Sequence, residues 1–344
     1  MFQNIHSVIV ALLTISFFGL HLPKSVRADW NVNSANTSGL GKLVQSPSHN
    51  MKSYNISLSK KTDGQPVRSG KSSIRFELRA GDCGYYPGGH SDCRTDRERI
   101  EYAQKPTHNS WYHWSLYLPE DAPDLQASVV TLGQFHQRGI QMSQAFMFKY
   151  DGVVYRLQND MWGFSGSSST GTSIISTDKE MRGKWTDILI NASWSFEESG
   201  FFNIYVNGRT KPLYKFKGTT INSKAGAYLK FGIYRQHVSS WSSRGGFPTQ
   251  IIYYDDVNAG DSCEEVTTYF DCNAIAKNIQ NPDTATLNKS QKTTKYDRTL
   301  AGMTVRFKCL ADYAAANDIT DLPANQEIES LTTNLEGNDY YRSH

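Results

Sequence analysis

The sequence predicts an all-β protein, a β-sandwich or jelly roll. Three observations carry that prediction. The middle of the chain is a succession of short runs rich in aromatic and β-branched residues. Turn dipeptides and Pro or Gly breaks separate those runs. No long amphipathic helical pattern appears before residue 260.

Taken in order, the first segment stands outside the fold. Ser7 to Leu20 is a short apolar run, followed by Leu22-Pro23 and Val26-Arg27-Ala28. It is too short to span a bilayer comfortably, and its end fits the small-residue rule for signal peptidase. A signal peptide over residues 1–28, cleaved after Ala28, is therefore expected, and with it a secreted or periplasmic protein with no membrane contact after cleavage.

The strand-forming runs come next. Trp111–Leu118, Ala145–Tyr150, Val153–Leu157, Trp185–Trp194, Phe201–Val206 and Thr249–Val257 read as strands. Asp151-Gly152 and Asn207-Gly208 follow two of them and suit two-residue hairpin turns with positive φ. The β domain is placed at 29–262. After about residue 260 the texture becomes polar, so 263–344 is expected to be a linker and an acidic, partly disordered extension. Within it Met303–Leu310 could add a strand and Ala311–Asn317 a helical turn.

Five cysteines in an exported chain suggest disulfides. Cys83 with Cys93, and Cys263 with Cys272, are the simplest pairs, and Cys309 is left over or pairs with one of the latter two. The spacings match no zinc site. Sequons occur at Asn36, Asn55, Asn191 and Asn288.

Charge is informative once the chain is divided. Residues 29–311 hold 33 basic and 26 acidic side chains, a net of +7, whereas Asp312 onward holds seven acids and one base. A basic body in an exported protein points to an anionic partner other than nucleic acid. The 12% aromatic content supports a sizeable core.

Four runs carry the chemistry. In Ile74–Arg79, Ile74, Phe76 and Leu78 share one face, and Arg75, Glu77 and Arg79 the other. In Tyr228–Tyr234, Leu229, Phe231 and Ile233 oppose Tyr228, Lys230, Gly232 and Tyr234. In Leu132–Gln137, Gln134 and His136 share a face opposite Phe135. Asp96–Glu101 groups Arg97, Arg99 and Glu101. One solvated sheet face explains such alternation. It explains the residue types less well, because Arg, Gln, His, Lys and Tyr are what binds a carboxylate and moves a proton.

RFELR (75–79), DRERIE (96–101), YHWSLYLPED (112–121), GQFHQ (133–137), RGKWTDILINASWS (182–195), YVNG (205–208), YLKFGIYRQ (228–236) and TQIIYYDDV (249–257) occur in this order. Together they resemble the heparin-lyase-I-like polysaccharide lyases, a group that includes glucuronan lyases. GQFH and YLKFGIYRQ are also similar to motifs of a jelly-roll alginate lyase family. The resemblance spans roughly 68–260. It implies a concanavalin-like jelly roll with a concave groove, and β-elimination on an anionic polysaccharide that contains uronic acid.

That chemistry assigns roles. The C5 proton of a uronate is only weakly acidic until the carboxylate charge is quenched. His136 is expected to be the base, since an imidazole is largely neutral at neutral pH. Tyr234 is the expected acid and an alternative base. Gln134 fits carboxylate neutralisation, as does Arg99, with Arg79 next. Glu77 and Glu101 are expected to orient those arginines. Lys230 suits a neighbouring sugar subsite, and Arg235 and Gln236 are further substrate contacts. No cofactor is required, although a structural calcium ion fits some relatives, and Asp255-Asp256 is a place where loops pair or calcium binds. A monomer is expected.

Other enzyme classes lack their residues. The paired carboxylates of the sandwich endoglucanases are missing, Gly163-Phe164-Ser165-Gly166 only approaches a nucleophile elbow, and no phosphate-binding loop occurs. The remaining alternative is a non-catalytic, lectin-like carbohydrate-binding module. It predicts that Gln134, His136 and Tyr234 lie on opposite faces.

Overall fold

A computed structural model describes residues 37–47, 51–86, 90–105, 108–125, 128–137, 144–159, 161 and 171–280. The leader, the sequons at Asn36 and Asn288, Cys309, the strand and helical turn expected at 303–317 and the acidic tail lie outside the described residues.

The strands are β1 (Thr37–Ser38), β2 (Val44–Ser46), β3 (Ile56–Lys60), β4 (Ser72–Leu78), β5 (Tyr85–Tyr86), β6 (His90–Ser91), β7 (Arg97–Ala103), β8 (Trp111–Tyr117) and β9 (Val130–Gln137). They continue with β10 (Gln144–Tyr150), β11 (Val154–Asn159), β12 (Gly171–Thr177), β13 (Trp185–Ser193), β14 (Phe201–Val206), β15 (Tyr214–Lys217), β16 (Ala227–Gln236) and β17 (Gln250–Gly260). Three short helices accompany them: α1 (Asp178–Met181), α2 (Cys263–Val266) and α3 (Cys272–Gln280).

Two antiparallel sheets form the sandwich. One runs β15-β14-β13-β8-β17-β4-β3, with β1 added parallel to β17. The other runs β12-β11-β10-β9-β16-β7-β2. The jelly-roll expectation is met, and we call these the outer sheet and the groove sheet.

Period-2 alternation builds the core between them. Ile74, Phe76 and Leu78 from the outer sheet, and Leu229, Phe231 and Ile233 from the groove sheet, are each at most 1% exposed. The rings of Phe76 and Phe231 meet edge to face at 5.9 Å, and Phe146 stacks on Phe202 at 3.9 Å. Each such ring contributes about 1.5–3 kcal/mol by leaving water.

The hairpin at Asn207-Gly208 has φ of +49° and +75°, which the two-residue turn demands. Asn207 Oδ1 also accepts from the Asp187 amide at 2.9 Å. On β9, Phe148 pairs with Gly133 but Lys149 pairs with Thr131, so Leu132 is an extra residue. This bulge lets both Leu132 and Val130 reach the core while Thr131 faces the groove side, opposite Tyr234.

Both expected disulfides form, Cys83–Cys93 and Cys263–Cys272. The second corrects the domain boundary. Residues 263–280 are folded, not linker: Cys263, Val266, Phe270, Cys272 and Ile275 pack on Leu189 and Tyr205 of the outer sheet. Short helices with one apolar side give little periodic signal, so the polar composition masked them. The sequons at Asn55 and Asn191 are 3% and 6% exposed, too buried to accept a glycan in the folded chain.

Candidate active site

The site is built from three adjacent central strands of the groove sheet, β9, β16 and β7. Tyr228 pairs with His136, Lys230 with Gln134 and Tyr234 with Thr131 across one boundary. Gly232 pairs with Glu101 and Tyr234 with Arg99 across the other. Paired residues project to the same side, so His136, Gln134, Tyr228, Lys230, Tyr234, Arg99 and Glu101 all stand on the face turned away from the core. Gln134, His136 and Tyr234 therefore share one face, against the expectation of the binding-module alternative.

His136 is half-buried, and its Nδ1 lies 2.9 Å from the Gln137 carbonyl oxygen and 2.9 Å from the Tyr228 hydroxyl. Its ring centroid is 5.3 Å from that of Tyr228. Tyr234 sits elsewhere. It is 3% exposed, its hydroxyl accepts from Gln236 Nε2 at 2.9 Å, and the Arg99 guanidinium stands 5.7 Å from its ring. Its partner on β9, Thr131, is five residues from His136, roughly 16 Å at about 3.3 Å per residue. The expectation that His136 and Tyr234 meet is thus corrected: the phenol beside the imidazole is that of Tyr228.

The charged groups are paired. Arg99 gives Nε and Nη2 to Asp92 at 2.9 Å each, and Asp92 lies in the disulfide-closed segment between Cys83 and Cys93. Lys230 Nζ is 2.6 Å from Glu101 Oε2, and Gln134 Nε2 donates to Glu101 Oε1 at 2.6 Å. Burial drives the Lys230 pKa down, against the pull of Glu101. Glu101 was expected to orient an arginine. It holds Gln134 and Lys230, and Asp92 is the residue that orients Arg99.

Three expected substrate contacts are corrected. Arg235 is fully buried on the core side of β16, because it is in phase with Leu229, Phe231 and Ile233. It binds Gln250 Oε1, Glu98 Oε2 and the carbonyls of Leu78 and Pro248, and burial pulls its pKa down to about 10. Arg79 follows β4 on the outer sheet, where it pairs with Glu77 at 2.5 Å and covers the Tyr54 ring at 3.8 Å. Lys230 is 3% exposed within its ion pair, so it forms part of the groove floor instead of an open subsite. Gln236 is half-buried on the groove side, with its amide on Tyr234.

Tyr228 and Asp92 are the residues the sequence analysis missed. Tyr228 was legible as one of the alternating groove-side residues of YLKFGIY. Asp92 belongs to no pattern and reaches Arg99 only through the folded hairpin. The late acidic pair joins loops: Asp255 accepts the backbone N–H groups of Arg68, Ser69 and Asp256, and Asp256 accepts from Ser69 Oγ and Tyr269 Oη. Burial nevertheless pushes the Asp255 carboxyl up to about 6. Among the described residues no group of three His, Cys, Asp or Glu side chains is placed to hold a metal ion, and no helix is long and apolar enough to cross a membrane.

No curated protein matches the chain. Among solved structures, an endo-β-1,4-glucuronan lyase from the fungus Trichoderma reesei is similar at 16% identity and a TM-score of 0.45, covering 67% of this chain and 96% of that one. An alginate lyase from Corynebacterium sp. gives 13% identity and a TM-score of 0.38, over 62% of this chain and 84% of that one. The alginate lyase vAL-1 from Chlorella virus gives 12% identity and a TM-score of 0.38, over 62% and 90%. The polysaccharide lyase family model matches residues 38–258, well over half of the sequence. The chain belongs to the polysaccharide lyase family.

Proposed function

We propose that the protein is an exported lyase that cleaves a uronic-acid-containing polysaccharide by β-elimination, with the His136–Tyr228 pair as its chemical centre. The observation that carries this reading is the 2.9 Å contact between Tyr228 Oη and His136 Nδ1 on a polar sheet face. Two disulfides and the apolar leader support export.

The required tautomer has its proton on Nδ1, donated toward the Gln137 carbonyl and the Tyr228 oxygen. Nε2 then carries the lone pair. It takes the C5 proton, the electrons left on C5 form the C4=C5 double bond, and the C4–O4 bond breaks. Tyr228 Oη–H supplies the proton to O4. The step leaves an imidazolium beside a phenolate, and the Nδ1 proton passes to Oη along their hydrogen bond. Loss of the Nε2 proton to water and uptake of a proton at Nδ1 restore the starting tautomer.

Charge at the substrate carboxylate is quenched by the Gln134 amide, two residues from His136 on the same face of β9, while the Arg99 guanidinium, which Asp92 holds beside Tyr234, binds a neighbouring sugar acid along the groove. Tyr234 and Gln236 line the groove further along β16. Thus Tyr234, the phenol expected to be catalytic, is assigned to sugar binding.

The test is incubation of purified protein with glucuronan, alginate, heparin and heparan sulfate, followed by ultraviolet absorbance of the conjugated double bond. A rise on at least one of these that His136→Ala abolishes is expected. A folded protein that gives no rise on any of them contradicts the proposal.

A further inference from the structure

Beneath the groove floor lies a charged group that the proton transfers above do not use. Gln134, Glu101 and Lys230 are 1%, 1% and 3% exposed, and they come from three different strands. Glu101 touches both of the others at 2.6 Å. Gln134 and Glu101 belong to β9 and β7, which flank β16, so their side chains bridge the intervening strand. They do so beside Gly232, which pairs with Glu101 and adds no side chain. At its φ of +139° a Cβ would fall 2.2 Å from the Ile100 carbonyl oxygen and 2.8 Å from Glu101 Cα. The glycine lets β16 lie close against β7 at this point.

Stability does not explain such a group. Withdrawing a carboxylate and an ammonium from water costs about as much as their attraction returns, and an apolar pair of similar volume serves a core as well or better. What the carboxylate supplies is direction. An amide has one donor end and one acceptor end, and a carboxylate accepts only from the donor end. Glu101 therefore fixes which end of Gln134 is which, and Lys230 Nζ, 2.6 Å from Glu101 Oε2, supplies the balancing charge. Gln134 Oε1 is buried without a hydrogen-bond partner among the described residues, a sign that its placement is imposed by the other end of the amide.

We propose that Glu101 is a positioning residue that locks the Gln134 amide in one orientation before substrate binds, with Lys230 as its counter-ion. This rests on the lyase reading above, in which Gln134 helps to quench the uronate carboxylate. The locked amide presents its second Nε2 hydrogen to the charge that grows on that carboxylate as the C5 proton leaves, so its effect falls on kcat more than on KM.

The test compares wild type, Glu101→Gln/Lys230→Met and Glu101→Asp on whichever uronan wild type cleaves. The double variant removes both charges together, leaving no unpaired buried ion. Glu101→Asp keeps the charge but withdraws it by one methylene. A tenfold or larger fall in kcat, with KM within twofold and a melting temperature within a few degrees of wild type, is expected for the double variant. A smaller fall in the same direction is expected for Glu101→Asp. If the double variant does not fold, Glu101→Asp decides alone. An unchanged kcat overturns the positioning role, as does a rise in KM with kcat retained. A wild type that forms no unsaturated product fails the lyase reading itself, a result separate from any difference between variants.

Discussion

The outer faces of the two sheets are written in nearly the same residues and do different things. On the outer sheet, Arg75, Glu77 and Arg79 form an ion-paired row, and Arg68 clasps Asp187 at 2.8 Å. Asp255 and Asp256 tie down the chain at Arg68 and Ser69, and the disulfide-stapled α2–α3 segment closes over Leu189 and Tyr205. Charges there fasten the chain to itself. On the groove sheet, Arg99 pairs with Asp92 and Lys230 with Glu101, and Glu101 in turn holds Gln134 on the face that carries the His136–Tyr228 contact. The lesson is that Arg-x-Glu alternation specifies a paired polar row and leaves open whether the row serves folding or chemistry. The neighbouring strands decide.

Substitutions that separate the two faces sharpen that contrast. The largest effect is expected for His136→Ala, which should lower turnover by about 10²- to 10⁴-fold, the usual worth of a general base. Arg79→Ala, across the sandwich, should leave kcat/KM within twofold when product absorbance is followed. A large loss in the Arg79 variant would break the distinction between the sheets.

Next comes a stability effect without a catalytic one. Arg235→Met strands Glu98 in the core, and chemical denaturation should show a loss of about 3–5 kcal/mol. Its folded fraction should keep near-normal KM, because Arg235 points away from the groove. The two disulfides should diverge more modestly. Replacing Cys263 and Cys272 by Ser should cost about 2–3 kcal/mol of stability with turnover retained. Replacing Cys83 and Cys93 should loosen Asp92 and with it Arg99, so that kcat/KM falls severalfold even at temperatures where the protein is fully folded.

Much of this was legible in the sequence, and the failures have physical causes. The sandwich, the Asn207-Gly208 hairpin and both disulfides follow from local signals: period-2 alternation, an Asn-Gly turn and close cysteine spacing, whereas Asp151-Gly152 sits in a longer loop between β10 and β11 where Gly152 has positive φ and Asp151 does not. Even the burial of Arg235 was available, since it shares the phase of Ile233; its place beside Tyr234 in the motif obscured that. The sheet to which Arg79 belongs was not available, because RFELR and DRERIE look alike until strand order assigns them. Nor was the partner of His136. Tyr228 and Tyr234 share a face of one strand, and only the cross-strand register, interrupted by the bulge at Leu132, decides which phenol meets the imidazole. The partner of Arg99 lies on a loop that no alternation describes.

The two tyrosines offer the most direct test of the central claim. In single-turnover formation of unsaturated ends on a uronan that wild type cleaves, Tyr228→Phe should be slowed by about 100-fold or more. Tyr234→Phe should be slowed less than tenfold, with its loss appearing mainly in substrate affinity. A Tyr228→Phe enzyme that turns over at the wild-type rate while Tyr234→Phe is inert would contradict the account.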